Sequence, residues 1–154
     1  MWYQGHGALS WDFVTAFWNH QDITEGGIFP AILGSLLLGL GVVVFSFPMG
    51  FATAIFLTEY SKDNVLKRVI ELAIRNLAGV PSVVYGLFGF AVFVNFFHFK
   101  GSLISAILTL SIMTLPWIIV ASVEALEAVP VRFRDSSVAL GASRWDTVRR
   151  IVIP

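Results

Sequence analysis

The chain contains no cysteine among its 154 residues. This absence excludes disulfide bonds and thiolate metal sites. The three histidines, His6, His20 and His98, are scattered and have no ligand partner at helical spacing, so the sequence predicts no metal centre. The chain also lacks a G-x-x-x-x-G-K-[ST] sequence, so any nucleotide that drives its function must bind to another protein.

Charged residues are scarce as well, at 13% of the chain, whereas hydrophobic residues make up 56%. No Asp, Glu, Lys or Arg occurs in Gly26–Thr58, Asn76–Phe99 or Gly101–Val123. Each stretch is long enough to cross a bilayer core of about 30 Å. Three buried helices of a soluble protein are the alternative, but so short a chain has too few polar residues to cover them.

We therefore predict an all-α membrane protein with three transmembrane helices. The predicted spans lie near residues 28–58, 77–98 and 102–123. No acidic residue lies in the uncharged stretches, which argues against a proton pump or an intramembrane protease. Because no catalytic constellation is visible either, we predict that the chain is not an enzyme and that it needs no cofactor.

The cations indicate the orientation of these spans. Four of the ten Lys and Arg residues lie between the first and second predicted spans, five follow the third, and only Lys100 is on the opposite side. The positive-inside rule assigns the cation-rich side to the cytoplasm. We expect residues 59–76 and 124–154 to be cytoplasmic and residues 1–27 and 95–101 to be extracytoplasmic. The basic loops are explained by this topology, so nucleic acid is not an expected partner.

The segment before the first span has no signal-peptide pattern, since Met1–Gly7 lacks a basic start. It is rich in aromatic residues, which favour the membrane–water interface. An amphipathic stretch on the outer surface of the membrane is one interpretation, and a disordered chain end is the other. The aromatic residues concerned are Trp2, Tyr3, Trp11, Phe13, Phe17 and Trp18.

A short amphipathic helix is predicted at residues 64–78, between the first two spans. Lys67, Glu71 and Arg75 follow one another at intervals of four, which favours two ion pairs on one helix face. The segment is either a surface helix along the membrane or a second contact for a cytoplasmic partner. Gly79-Val80-Pro81 then predicts a break before the second span.

The most informative segment is PVRFRDSSVALGASRWDTVRRIVIP, at residues 130–154. Pro130 suits the first turn of a helix, and Gly141 can adopt the left-handed conformation that ends one. Ser143 followed by Asp146 approximates a capping box that begins the next helix. In that helix Trp145, Val148 and Val152 are expected to share one face. The pattern predicts a helix–Gly–helix hairpin that presents an aromatic and aliphatic face among arginines.

This segment resembles the EAA loop of ABC-transporter permeases, whose pattern is E-A-A, three residues, G, nine residues, I-x-L-P. Gly141, Ile151 and Pro154 match at the right spacing, while Asp135-Ser136-Ser137 stands in place of E-A-A and Ile153 in place of leucine. Together with GGIFPAILGSLLL and LAGVPSVVYGLFG, the segment from Glu124 resembles the phosphate-specific (PstA-type) permeases of the MetI-like family. The resemblance covers roughly residues 26–154.

The resemblance implies that residues 28–154 form part of a permease domain with the MetI-like fold. Within this domain, residues 124–154 would form a cytoplasmic coupling loop. Such permeases carry further spans, so we expect the chain to be truncated at both ends. The implied location is the inner, or plasma, membrane. The implied partners are a second permease (PstC-like), a cytoplasmic ABC ATPase (PstB-like), an extracytoplasmic phosphate-binding protein and membrane lipid.

The predicted function is that of a permease subunit that couples ATPase motion to the import of inorganic phosphate. The residues expected to dock the ATPase are Asp135, Ser136, Leu140, Gly141, Ala142, Arg144 and Trp145. Neutral polar residues that could line a substrate path are Asn76, Ser82, Tyr85, Thr109 and Thr114. Two alternatives stay open: a permease for another oxyanion such as phosphonate, molybdate or sulfate, and a membrane adaptor protein that does not transport.

Overall fold

The computed structural model describes residues 11–17 and 27–153, and all regular structure in these ranges is helical. This confirms the predicted all-α class. The chain divides into two compact units, residues 1–41 and 42–154. The helices are α1 (Trp11–Thr15), α2 (Phe29–Ile55), α3 (Val65–Ala78), α4 (Ser82–Gly89), α5 (Leu103–Glu127), α6 (Val131–Ala139) and α7 (Arg144–Thr147). Three continue into a π-helical turn: α2 into Phe56–Tyr60, α4 into Phe90–Phe96 and α7 into Val148–Val152.

The first unit contains α1 and the beginning of α2. Phe17 lies edge-on to Phe29 with ring centroids 5.4 Å apart, and the N–H of Ile28 donates to the carbonyl of Phe13 at 2.9 Å. Trp11 is 82% exposed in the isolated chain. Aromatic side chains are enriched at the membrane–water interface, where lipid headgroups would cover such a residue. The interfacial segment stays a prediction, and its members Trp2, Tyr3 and Trp18 lie outside the residues that the structure describes.

Within residues 11–17 and 27–153, two helices are long and apolar enough to cross a membrane on their own. They are Phe29–Tyr60 and Leu103–Glu127, each with a mean hydropathy of 2.2 over its best window. Both contain an internal proline, Pro48 in α2 and Pro116 in α5. Proline removes one backbone hydrogen bond, and membrane helices accommodate this loss where neighbouring groups satisfy the freed carbonyl.

The part of the chain that the structure describes contains a third span only if α3 and α4 are counted together, and these two helices meet at an angle of 95°. The break falls at Gly79-Val80-Pro81, as the sequence indicates. The hydroxyl of Tyr85 donates to the carbonyl of Leu77 at 2.9 Å and so ties the two sides of the bend together. The predicted span at residues 77–98 therefore includes the end of α3, and its straight part begins only at Ser82.

The ion pairs on α3 differ from the prediction. Asn64 caps the helix by accepting from the N–H of Lys67 at 2.9 Å. The ammonium of Lys67 lies 3.0 Å from Asp63 and 3.8 Å from Glu71, so one of the two expected pairs is present. No ion pair joins Glu71 to Arg75 in this helix as the structure describes it, although both residues line a groove beside α5.

Close packing of α4 against α5 depends on Gly89. A side chain at this position would collide with the side chain of Thr109 on α5. By contrast, a side chain at Gly86 on the same helix would meet no atom within 4 Å. Overpacking of this kind costs about 1–3 kcal/mol when neighbours cannot move apart.

We therefore expect Gly89→Val to lower the thermal stability of the purified protein, and Gly86→Val to leave it nearly unchanged. The two substitutions add the same side chain to the same helix, so helix propensity cancels in the comparison. A thermal unfolding measurement in detergent checks this. Equal stability of the two variants would contradict the close contact between α4 and α5.

The second unit has a small apolar core where the two long helices end. It consists of Ala54 from α2, Leu126 from α5 and Val152 from the turn after α7, each at most 5% exposed. Ile55, Val123 and Val129 pack around it. Because Val152 belongs to the C-terminal hairpin, this core fixes the end of the hairpin to both helices.

Candidate functional site

The segment that we call the coupling hairpin comprises residues 130–153, and its centre is a glycine elbow. Pro130 precedes α6 as its N-cap residue, and Gly141 follows it with φ +85°. The N–H of Gly141 donates to the carbonyl of Val138 at 2.9 Å, and the N–H of Ala142 donates to the carbonyl of Ser137 at 3.1 Å. These two bonds form a Schellman motif, in which glycine is preferred because its φ is positive.

The second helix of the hairpin begins with the predicted cap. The hydroxyl oxygen of Ser143 accepts from the N–H of Asp146 at 3.1 Å. The same hydroxyl donates to the carboxylate of Asp146 at 2.6 Å. This hydrogen bond, together with the nearby Arg150 and Arg149, lowers the pKa of Asp146. The cap thus places a negative charge at the N-terminus of α7, where the helix dipole favours it.

The two arms of the hairpin are joined by a buried hydrogen bond. The hydroxyls of Ser137 on α6 and Thr147 on α7 lie 2.9 Å apart, and both residues are about 95% buried. Val148, next to Thr147, is 1% exposed. A satisfied buried polar pair fixes the angle between two helices more strictly than apolar contact alone. The hairpin is therefore a braced element.

The predicted docking residues lie at and around the elbow. Leu140 is 88% exposed and Trp145 is 56% exposed, although both are large and apolar. The remaining members are exposed or, for Ala142, half-buried; they are Asp135, Ser136, Gly141, Ala142 and Arg144. An exposed apolar pair surrounded by polar groups is typical of a protein contact surface.

One detail of the predicted face is wrong. Trp145, Val148 and Val152 were expected to present one common face, but only Trp145 is accessible. Val148 and Val152 are turned into the protein, where Val152 packs with Ala54 and Leu126. Of the three apolar residues, two therefore pack inside the protein, and Trp145 alone is exposed on its surface.

The sequence did not predict a contact between two charged residues, one in the hairpin and one at the end of α2. Arg134 on α6 lies 3.0 Å from the carboxylate of Glu59, in the turn that ends α2. It also donates to the carbonyls of Leu126 and Val129 at the end of α5. The one sequence feature that could have indicated this contact is the position of Glu59 directly after an uncharged stretch. No spacing rule connects Glu59 with Arg134, because they are too far apart in the chain.

A groove between α3 and α5 gathers further charges that the sequence did not bring together. Glu71 and Arg75 line it from α3, and Glu124 and Glu127 line it from α5. In the described part of the chain, no three His, Cys, Asp or Glu side chains are placed to hold a metal ion. The groove follows from the way α3 lies back against the end of α5.

The candidate path residues are distributed over three helices. Asn76 lies at the exposed end of α3, and Ser82 lies exposed at the start of α4. The hydroxyls of the other three donate to backbone carbonyls: Tyr85 to Leu77, Thr109 to Ser105 and Thr114 to Ser111. The groove beside Thr109 contains none of the other four. The substrate path therefore stays a prediction.

Comparison with known proteins places the chain in a transport context. Residues 46–154 match the family described as "Binding-protein-dependent transport system inner membrane component". The chain is 38% identical to a "Probable ABC transporter permease protein YqgH" of Bacillus subtilis, covering 97% of this chain and 50% of that protein. No solved structure matches the chain.

Two further relatives carry a cargo in their names. The "Phosphate transport system permease protein PstA 1" of Mycobacterium tuberculosis is 34% identical over 96% of this chain and 51% of its own length. The "Phosphate transport system permease protein PstC" of Haemophilus influenzae is 34% identical over 90% of this chain and 51% of its own length. The chain spans about half the length of the curated relatives it matches.

Proposed function

The chain belongs to the family of binding-protein-dependent transport system inner membrane components, and on that premise we propose that it is part of the permease subunit of an ATP-driven phosphate importer. Its own task is to convert the motion of a partner ATPase into movement of membrane helices. ATP is hydrolysed by that partner, and this chain contributes no catalytic group.

The observation that carries the proposal is the architecture of the coupling hairpin. Its elbow is exposed and apolar at Leu140 and Trp145, while its far end is buried against α2 and α5 through Val152. A partner that binds the elbow can therefore push on two long apolar helices through a braced connection. A loop that merely carried positive charge would need neither the brace nor the buried anchor.

The orientation follows from the same assignment. A cytoplasmic ATPase meets the hairpin only if residues 124–154 and 59–76 lie on the cytoplasmic side, with residues 1–27 and 95–101 outside. The remaining partners are a second permease of the PstC type and an extracytoplasmic phosphate-binding protein. Lipid covers the apolar surfaces of α2 and α5 that no protein covers.

The proposed cargo rests on the named relatives. Relatives called phosphate permeases align over most of this chain, with both PstA and PstC types among them. A phosphate ion needs hydrogen-bond donors or positive charge along its path. The apolar helices α2, α4 and α5 carry no cationic side chain, so the remaining permease spans or the second permease would supply the cationic groups.

Uptake of labelled anions by the full importer in proteoliposomes tests this proposal. We expect ATP-dependent uptake of labelled phosphate, stimulated by the phosphate-binding protein, with unlabelled phosphate competing better than sulfate, molybdate or phosphonate. Preferential uptake of one of those anions would replace the cargo and keep the class. Absence of any ATP-dependent uptake by the complete assembly would favour the adaptor alternative and contradict the proposal.

A further inference from the structure

Arg134 connects three elements of the second unit through one guanidinium group. Its Nη2 donates to the carbonyl of Leu126 at 2.6 Å, and its Nη1 donates to the carbonyl of Val129 at 3.0 Å. Its Nε lies 3.0 Å from Oε1 of Glu59. The first two contacts are at the end of α5 and the third is at the end of α2, so a single hairpin residue holds both long helices.

The chemistry of each contact suits a guanidinium. The last carbonyls of a helix have no partner within the helix and carry partial negative charge. A planar guanidinium can donate to several acceptors at once, which an ammonium cannot do with the same geometry. The side chains of Arg134 and Glu59 are only 20% and 12% exposed, so salt and water screen their attraction less than at an open surface.

The contact with Glu59 is one of charge and not an aligned hydrogen bond. Although the two atoms are 3.0 Å apart, neither Oε1 of Glu59 nor Nε of Arg134 has a hydrogen-bond partner of good geometry in the described structure. The short separation is what stabilises the pair, because the attraction of opposite charges depends on separation far more than on angle. Such a contact persists through small rotations of the helices.

The hairpin is thus attached at both of its ends, by different kinds of contact. Val152 attaches the second arm through apolar packing with Ala54 and Leu126. Apolar packing has little directional preference, so by itself it would let the hairpin pivot. Arg134 attaches the first arm through directed donors, and two attachments of this kind fix an orientation.

We propose that Arg134 is the positioning residue that locks the coupling hairpin to the ends of α2 and α5, with Glu59 as its counter-charge. Force applied at the elbow then moves both helices as one body. The inference rests on the proposed function, since only a chain driven through its hairpin needs this lock. Arg134 lies outside the docking surface, yet it would determine how much solute moves per ATP hydrolysed.

The test uses the complete importer in proteoliposomes and the double variant Glu59→Gln/Arg134→Gln. Removing one partner alone would leave a sheltered charge without compensation and could prevent folding. The double variant removes both charges and keeps similar side-chain volumes. We expect it to insert and to bind the ATPase like the wild type, while the solute transported per ATP hydrolysed falls by roughly tenfold, the effect expected if a coupling free energy at the low end of those between protein sites is lost.

Two further variants separate the lock from a general effect of charge. Arg132→Gln removes an exposed cation two residues away on the same helix, and we expect wild-type coupling. Arg134→Lys keeps the charge opposite Glu59 but loses the fork that reaches Leu126 and Val129, and we expect intermediate coupling. Wild-type coupling in the double variant, or equal losses in the double variant and in Arg132→Gln, would overturn the proposal.

A distance measurement on the otherwise unchanged protein tests the same point without depending on how the variants fold. Spin labels at Tyr60 and Val138, both exposed, report the separation of the end of α2 from α6. We expect the same distance in the nucleotide-free and ATP-bound importer, and a change between these states would overturn the lock. Failure of phosphate uptake in the wild type would refute the proposed cargo, whereas the lock would still be judged on this distance, which does not depend on the solute.

Discussion

Gly141→Val is expected to abolish coupled transport while leaving the protein inserted in the membrane. Gly141 has φ +85°, a conformation that costs a β-branched residue on the order of 1–3 kcal/mol. A side chain there would meet no atom within 4 Å, so the effect would come from the backbone and not from a collision. The Schellman motif would open, and the angle between α6 and α7 would change.

The matched control is Gly141→Asn, since asparagine tolerates positive φ far better than valine. We expect this variant to keep most of the transport activity, although it adds a larger polar group at the same open position. The measurement is phosphate uptake per ATP hydrolysed, with the amount of inserted protein determined in parallel. Equal activity of Gly141→Val and the wild type would remove the elbow from the mechanism.

Trp145→Ala and Leu140→Ala are expected to weaken binding of the partner ATPase strongly. Both side chains are exposed in this chain, and truncating a residue that anchors an interface at its centre costs at least about 2 kcal/mol. A loss of that size corresponds to a roughly 30-fold higher dissociation constant. The binding of the ATPase to the permease in nanodiscs, measured by titration, gives this quantity directly.

Phe133→Ala is the control for this prediction. Phe133 is an aromatic residue of the same hairpin, 49% exposed, and Arg132 stacks over its ring at 5.3 Å. It lies on α6, about two turns before the elbow, and does not belong to the predicted docking residues. If Phe133→Ala weakened ATPase binding as much as Trp145→Ala, the docking surface would extend over the hairpin and would not be centred on the elbow.

The local features of the coupling hairpin could be predicted from the sequence because their causes are local. Gly141 has its positive φ, and Ser143 caps α7, for reasons contained in the neighbouring three or four residues. Uncharged stretches likewise indicated long membrane helices, since hydropathy and length are properties of a single segment. The break at Gly79-Val80-Pro81 was predicted in the same way.

The features that depend on packing between distant segments could not be predicted. Arg134 and Glu59 are brought together by the fold alone, and nothing in either neighbourhood indicates the other. The burial of Val148 and Val152 depends on where α2 and α5 end, so helical periodicity could not show that they are buried while Trp145 is exposed. Glu71 and Arg75 have the spacing of an intrahelical ion pair, yet no pair joins them, and both line the groove beside α5.

The measurement that tests the central claim most directly is the accessibility of the elbow. The chain has no cysteine, so Ser136→Cys introduces a single reactive thiol into it at an exposed docking position beside the elbow, with little change in side-chain size. The account predicts that a membrane-impermeant maleimide labels this thiol in inside-out vesicles and not in intact cells, and that bound ATPase protects it. Labelling in intact cells would contradict the account, because the hairpin would then lie on the side of the membrane where no ATPase can reach it.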